Sequence, residues 1–92
     1  MASDNNNPIS SVLSTLLKES LSTSQLRAIA KKYDVHYNTI INIRDRKKKS
    51  PDKTILKEMI ETAINTQKDQ IKKGKNLLML LQKEFTKLIQ HP

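Results

Sequence analysis

Apolar residues recur at helical spacing along almost the whole of this 92-residue chain, and no stretch alternates apolar and polar residues as a half-buried strand would. The clearest local signal is Leu21-Ser22-Thr23-Ser24-Gln25-Leu26. Ser22 is placed to cap the amide of Gln25 while the Gln25 side chain reaches back to Ser22, a capping box. Leu21 and Leu26 take the two positions of a hydrophobic staple. A helix therefore begins at Ser22, carries Leu26, Ile29, Ala30 and Tyr33 on one face, and stops at Asp34.

Helices are expected on both sides of it. An earlier one opens at Asn7-Pro8, an N-cap followed by proline at the first helical position, and aligns Ile9, Val12, Leu13, Leu16 and Leu17 on a single apolar face. A later one runs from about Tyr37 to Arg46 with Ile40 and Ile43 inward. The run Arg46-Lys47-Lys48-Lys49 reads as a loop, closed by Ser50-Pro51-Asp52, which restarts a helix. From there to Gln90 only Gly74 interrupts the pattern, giving two segments, 52–73 and 75–90, or one bent rod. A lone glycine costs about 1 kcal/mol against alanine and need not break a helix that packing supports.

Charge narrows the partners. Seventeen basic residues against nine acidic give a net charge of +8, a field that attracts DNA, RNA or an acidic membrane. No apolar run reaches the length of about 18 residues that a membrane span needs, so no membrane partner is expected. The start, MASDNNNP, lacks the charged and apolar regions of a secretory signal and reads as a short disordered lead, 1–7. There is no cysteine, which excludes disulfides and thiolate metal sites and suits a cytoplasmic location. No carboxylate pair, nucleophile–base set, glycine-rich phosphate loop or metal-spaced ligand group stands out. Neither an enzyme, nor a metal or other cofactor, nor a small-molecule ligand is expected.

The stretch Leu26 to Asp45 carries the most specific pattern. Two helices crossing at a tight turn need a small residue where their backbones approach, and Ala30 supplies it. The turn needs a residue that tolerates a left-handed conformation, and Asp34 is among the few that do. Val35 then plugs the crossing, and Ile40 and Ile43 face Ile29 and Tyr33. These spacings resemble the lambda-repressor/Cro (XRE-type) helix-turn-helix family, from about Leu21 to Ala63. The capped second helix, the segment Val35 to Arg44 as recognition helix, and the basic loop with its proline-led fourth helix all have counterparts. Asp34 stands where the family usually has glycine, and His36 where it has a serine or threonine cap.

The resemblance implies an all-α, four-helix helix-turn-helix bundle that places its third helix in the major groove of double-stranded DNA. The candidate base-reading residues are His36, Tyr37, Asn38, Ile41 and Asn42. Asparagine pairs with adenine N6 and N7, and Ile41 suits a thymine methyl. The alternatives are surface asparagines, a core Ile41, a Tyr37 that touches phosphate or covers the turn, and a capping or solvated His36. Arg44, Arg46, Lys47, Lys48 and Lys49 are the candidate phosphate contacts, as is Gln25, which matches a family position that often binds phosphate.

Beyond the bundle, a heptad seam runs through Ile60, Ile64, Gln67, Ile71, Gly74, Leu78, Leu81, Phe85 and Leu88. Leu77, Met79 and Leu80 widen it past a strict two-stranded stripe. Ile71, Leu77, Leu78, Leu81, Phe85 and Leu88 are the expected dimerisation residues, with a tetramer as the larger assembly. The alternative folds Leu77–Ile89 back as a fifth core helix. The expected division is a DNA-binding unit at 8–66 and an oligomerisation segment at 67–92. The expected function is transcription regulation, as by a repressor, at a palindromic site of nucleoid DNA. The competing readings are a DNA- or RNA-binding accessory factor of a phage or mobile element, and a helical protein-interaction module without nucleic acid.

Overall fold

The computed structural model describes residues 7–90, so the expected disordered lead lies, save for Asn7, outside the described residues. Four helices and no strand occur among those described: α1 (Ser11–Ser20), α2 (Thr23–Lys32), α3 (Tyr37–Arg44) and α4 (Lys53–Gln90). The protein is all-α.

α1 opens later than the Asn7-Pro8 pair suggests. Ser10 is its N-cap, and the Ser10 Oγ accepts the Leu13 amide at 3.1 Å. Serine caps as well as asparagine does, and Ile9, just ahead of the helix, is buried in the core. The apolar face also splits. Ile9 and Leu17 are buried and Leu13 packs at the edge, but Val12 and Leu16 face solvent. In their place the core-facing stripe of α1 includes buried Ser14, whose Oγ donates to the Arg44 carbonyl at 2.6 Å. That carbonyl belongs to the last turn of α3, where helical partners run out.

α2 starts as its sequence requires. The Gln25 amide donates to Ser22 Oγ at 3.2 Å, the Ser22 amide donates to Gln25 Oε1 at 2.9 Å, and Leu21 and Leu26 are both buried. It ends in a left-handed turn: Asp34 has φ 52°, its amide donates to the Lys31 carbonyl, and the Val35 amide donates to the Ala30 carbonyl at 2.9 Å. This is a Schellman motif made without glycine. α3 ends the same way and two residues earlier than expected. Arg46 has φ 66°, its amide reaches the Ile43 carbonyl, and the Lys47 amide reaches the Asn42 carbonyl at 2.8 Å.

Leu17, Leu26, Ile40, Ile43 and Met59 are the largest fully buried side chains, one or more from each helix. Asp52 Oδ1 accepts the amides of Thr54 and Ile55 and so caps α4, whose Ile55, Met59 and Ala63 close the core. Polar ties continue a little further. Gln25 Nε2 donates to Thr66 Oγ1 at 2.9 Å, and Gln67 Nε2 donates to Ser20 Oγ at 3.1 Å. Beyond Ala63 no described residue of α4 is buried.

α4 is one helix of 38 residues, about 57 Å long at 1.5 Å per residue. Gly74 lies inside it, and a Cβ there would meet nothing within 4 Å. The chain forms the rod: the helix runs through Gly74 without a break, since a lone glycine costs a helix only about 1 kcal/mol. The fold-back of Leu77–Ile89 does not occur for the same reason. The molecule measures 69 × 28 × 16 Å, a small bundle with a projecting helix.

Met59 is the α4 side chain set deepest in the shared core, and its exposure is zero. Met59→Ala is expected to lower the free energy of unfolding by about 2–5 kcal/mol. Urea denaturation followed by circular dichroism checks this. A loss below about 1 kcal/mol would show that α4 lies outside the cooperative unit.

Candidate nucleic-acid interface

The turn at Asp34 fixes how α3 leaves α2, and α3 is anchored by Ile40 and Ile43, both nearly inaccessible. The opposite face is left for Asn38, which is exposed, and for Asn42, which is half-buried. Ile41 and Tyr37 are also half-buried and pack against the edge of the core. Ile41 thus has one side on the core and the other toward solvent.

His36 is the N-cap of α3, its Nδ1 accepting the Asn38 amide at 3.2 Å. Histidine does here the work of the serine or threonine expected at a cap. Tyr37 has a partner that the sequence did not single out: the Arg27 guanidinium lies 4.5 Å from its ring centroid. Such a cation–π contact holds the exposed Arg27 at the start of α3. The signal available was an arginine on the outer face of α2, one turn past the capping box.

The basic residues divide. Arg44 Nε and Nη2 donate to the two carboxylate oxygens of Asp45 at 2.8 and 3.3 Å. Arg46 donates from Nε to the Ile9 carbonyl at 2.8 Å and so ties the loop to the entrance of α1. Both guanidinium groups have structural work in the fold. Gln25 faces α4, with its amide shared between Ser22 and Thr66. Its side chain is therefore engaged inside the fold, away from the outer face of α3. Lys47, Lys48 and Lys49 are exposed immediately after α3. The result is an outward asparagine face with a cation at each end, Arg27 at the start and the three lysines past the finish.

The remaining expected site residues lie elsewhere. Ile71, Leu77, Leu78, Leu81, Phe85 and Leu88 occupy the projecting part of α4 and are between 55% and 71% exposed, values of a helix with no neighbour. No helix among the described residues is long and apolar enough to cross a membrane. No family model matches the sequence, and comparison with curated proteins and with solved structures finds no match in either.

Two carboxyl groups near α3 and α2 are held below their ordinary values. Asp45 is lowered chiefly by the hydrogen bond from Arg44, with Lys18 and Lys47 adding to it. Glu58 is lowered by the hydrogen bond from Lys32 (2.8 Å) and then by that from the Tyr33 hydroxyl (3.1 Å). A carboxyl whose folded pKa is depressed adds stability that is complete above its unfolded pKa and is lost as pH falls through the folded value. The unfolding midpoint should therefore be level from about pH 7 to 5 and fall below about pH 4. Asp45→Asn with Glu58→Gln should flatten that acid limb. An equally steep limb in the doubly substituted chain would show that neither pair couples to folding.

Proposed function

We propose that this protein binds duplex DNA sequence-specifically and regulates transcription, working as a homodimer in the cytoplasm on nucleoid DNA. One observation carries the reading. A short helix, held at a fixed angle by a tight turn, turns an asparagine face outward between clustered cations in a chain of net charge +8.

An α-helix fits the major groove, and Asn38 and Asn42 offer the paired donor and acceptor that adenine presents there. Ile41 rests on a thymine methyl, and Tyr37 lies at the groove edge beneath Arg27. Lys47, Lys48 and Lys49 meet one backbone and Arg27 the other, so phosphate contacts set the register in which the bases are read. Arg44, Arg46 and Gln25 hold the frame instead, each being engaged within the fold. The bare half of α4 pairs two copies. Two linked units reading two half-sites bind far more tightly than one, through effective concentration.

Two measurements test this. Affinity for duplex DNA should fall steeply with salt, with a log–log slope of about −0.9 for each phosphate neutralised. Replacing Lys47, Lys48 and Lys49 by alanine should flatten the slope and weaken all sequences alike, and an unchanged slope would remove the lysines from the interface. If the native chain shows no salt-sensitive affinity for any duplex, the reading fails and a protein-interaction module takes its place.

Asn42→Ala should relax the preference at one base position and cost about 1–3 kcal/mol on the best site selected from a random duplex library, with random DNA bound nearly as before. Equal losses on both would place Asn42 at the backbone.

A further inference from the structure

The projecting half of α4 is more apolar than a two-stranded pair can use. Leu77, Leu78, Met79, Leu80 and Leu81 are consecutive and all exposed. The bundle has a matching feature. Between α1 and the first half of α4 lies an apolar groove of about 320 Å³, lined by Leu13, Leu16, Leu17, Ile60, Ala63 and Ile64 among others. Leu16 is 52% exposed and Ile64 47%. A helix lying in this groove touches two walls, α4 and α1, and needs a broad apolar face.

We infer that two copies pair with their α4 helices antiparallel, the segment Leu77–Ile89 of each lying in the α1–α4 groove of the other. The inference rests on the pairing proposed above and adds its direction and its second wall. The heptad seam supplies the register. In antiparallel order the layers are Ile60 with Phe85 of the second copy, Ile64 with its Leu81, Gln67 with its Leu78, and Ile71 with its Gly74. The two-fold axis falls between Lys72 and Lys73. Leu77 and Leu80 then sit on the flank of the seam that borders α1.

This arrangement accounts for Gly74. Within one chain nothing approaches that position, and glycine there weakens the helix. Opposite Ile71 of a second copy, the missing Cβ leaves room for a β-branched side chain. Parallel pairing instead sets Gly74 against Gly74 and Gln67 against Gln67. It also brings to the groove a stretch of α4 that already carries its own α1. The projecting half carries no such neighbour. About ten large apolar side chains per copy become covered, on the order of 800 Å² for each partner, the size of a stable interface. Lys68 and Lys75 of the two copies approach near the axis, a repulsion that added salt screens.

The native chain has no cysteine, so introduced thiols report pairing cleanly. Three variants are needed: Ile64→Cys, Leu81→Cys and Leu16→Glu, all at exposed positions. Sedimentation of the native chain at tens of micromolar should show a dimer; a monomer overturns the inference together with the pairing it rests on. Under mild oxidation, Leu81→Cys alone should stay uncrosslinked, and its mixture with Ile64→Cys should yield the disulfide-linked mixed pair. Self-crosslinking of Leu81→Cys, or a native dimer with no mixed product, overturns the antiparallel register and leaves pairing standing. Leu16→Glu should weaken self-association at least tenfold with helicity kept, and an unchanged dissociation constant overturns the groove as the second wall. None of these readings involves DNA, so each is separate from the fate of the DNA-binding proposal.

Discussion

The hydrogen bond from the Val35 amide to the Ala30 carbonyl closes the turn on which the arrangement of the bundle depends. It holds Asp34 in a left-handed conformation, which aspartate tolerates better than most residues do. Ala30 makes the turn feasible from the other side, since a larger side chain would hold the helices apart. Once α3 leaves at this angle, Ile40 and Ile43 join Leu26 and Ile29 in the buried core, and Asn38 is left exposed with Asn42 half-buried beside it. The proposed DNA-reading surface is thus the remainder of a packing problem solved on the other side of α3.

The same economy governs α4. Its first part is a wall of the core and its second part has no wall to join. Met59 and Ala63 are inaccessible or nearly so, whereas every residue from Gln67 to Gln90 is exposed. The hydrophobic effect acts on that second part as strongly as on the first. With α4 unbroken through Gly74, intramolecular burial is out of reach, and covering the Leu77–Leu81 run requires another molecule. The proposed antiparallel pair uses the apolar groove that lies open between α1 and α4.

Residues with two roles explain most differences between expectation and structure. Gln25 was legible as a capping residue, and its bond to Thr66 was not, because Thr66 is forty-one positions away. Arg44 and Arg46 read as two more cations beside three lysines, and each proves to be tied down, by Asp45 and by the Ile9 carbonyl. Local sequence reports charge but not which charges find partners. Ser14 carried no signal at all, since a serine on a helix is usually exposed. Only the arrival of the end of α3 gives its hydroxyl an acceptor outside its own helix.

Sequence alone determined what depends on neighbours a few residues apart: the capping box at Ser22, the staple of Leu21 and Leu26, the turn at Asp34, and the helical character of all four segments. These follow from backbone hydrogen bonding and the 3.6-residue period, which act within one or two turns. Tertiary structure decided what depends on distant segments. It set the start of α1 at Ser11, where the Ser10 hydroxyl takes the Leu13 amide and Ile9 is buried ahead of the helix. It ended α3 at Arg44 with a left-handed arginine that no turn signal announces. It also gave Arg44 and Arg46 partners within the fold while leaving Lys47, Lys48 and Lys49 exposed, and left the apolar half of α4 bare, since burial and pairing are settled by which surfaces meet.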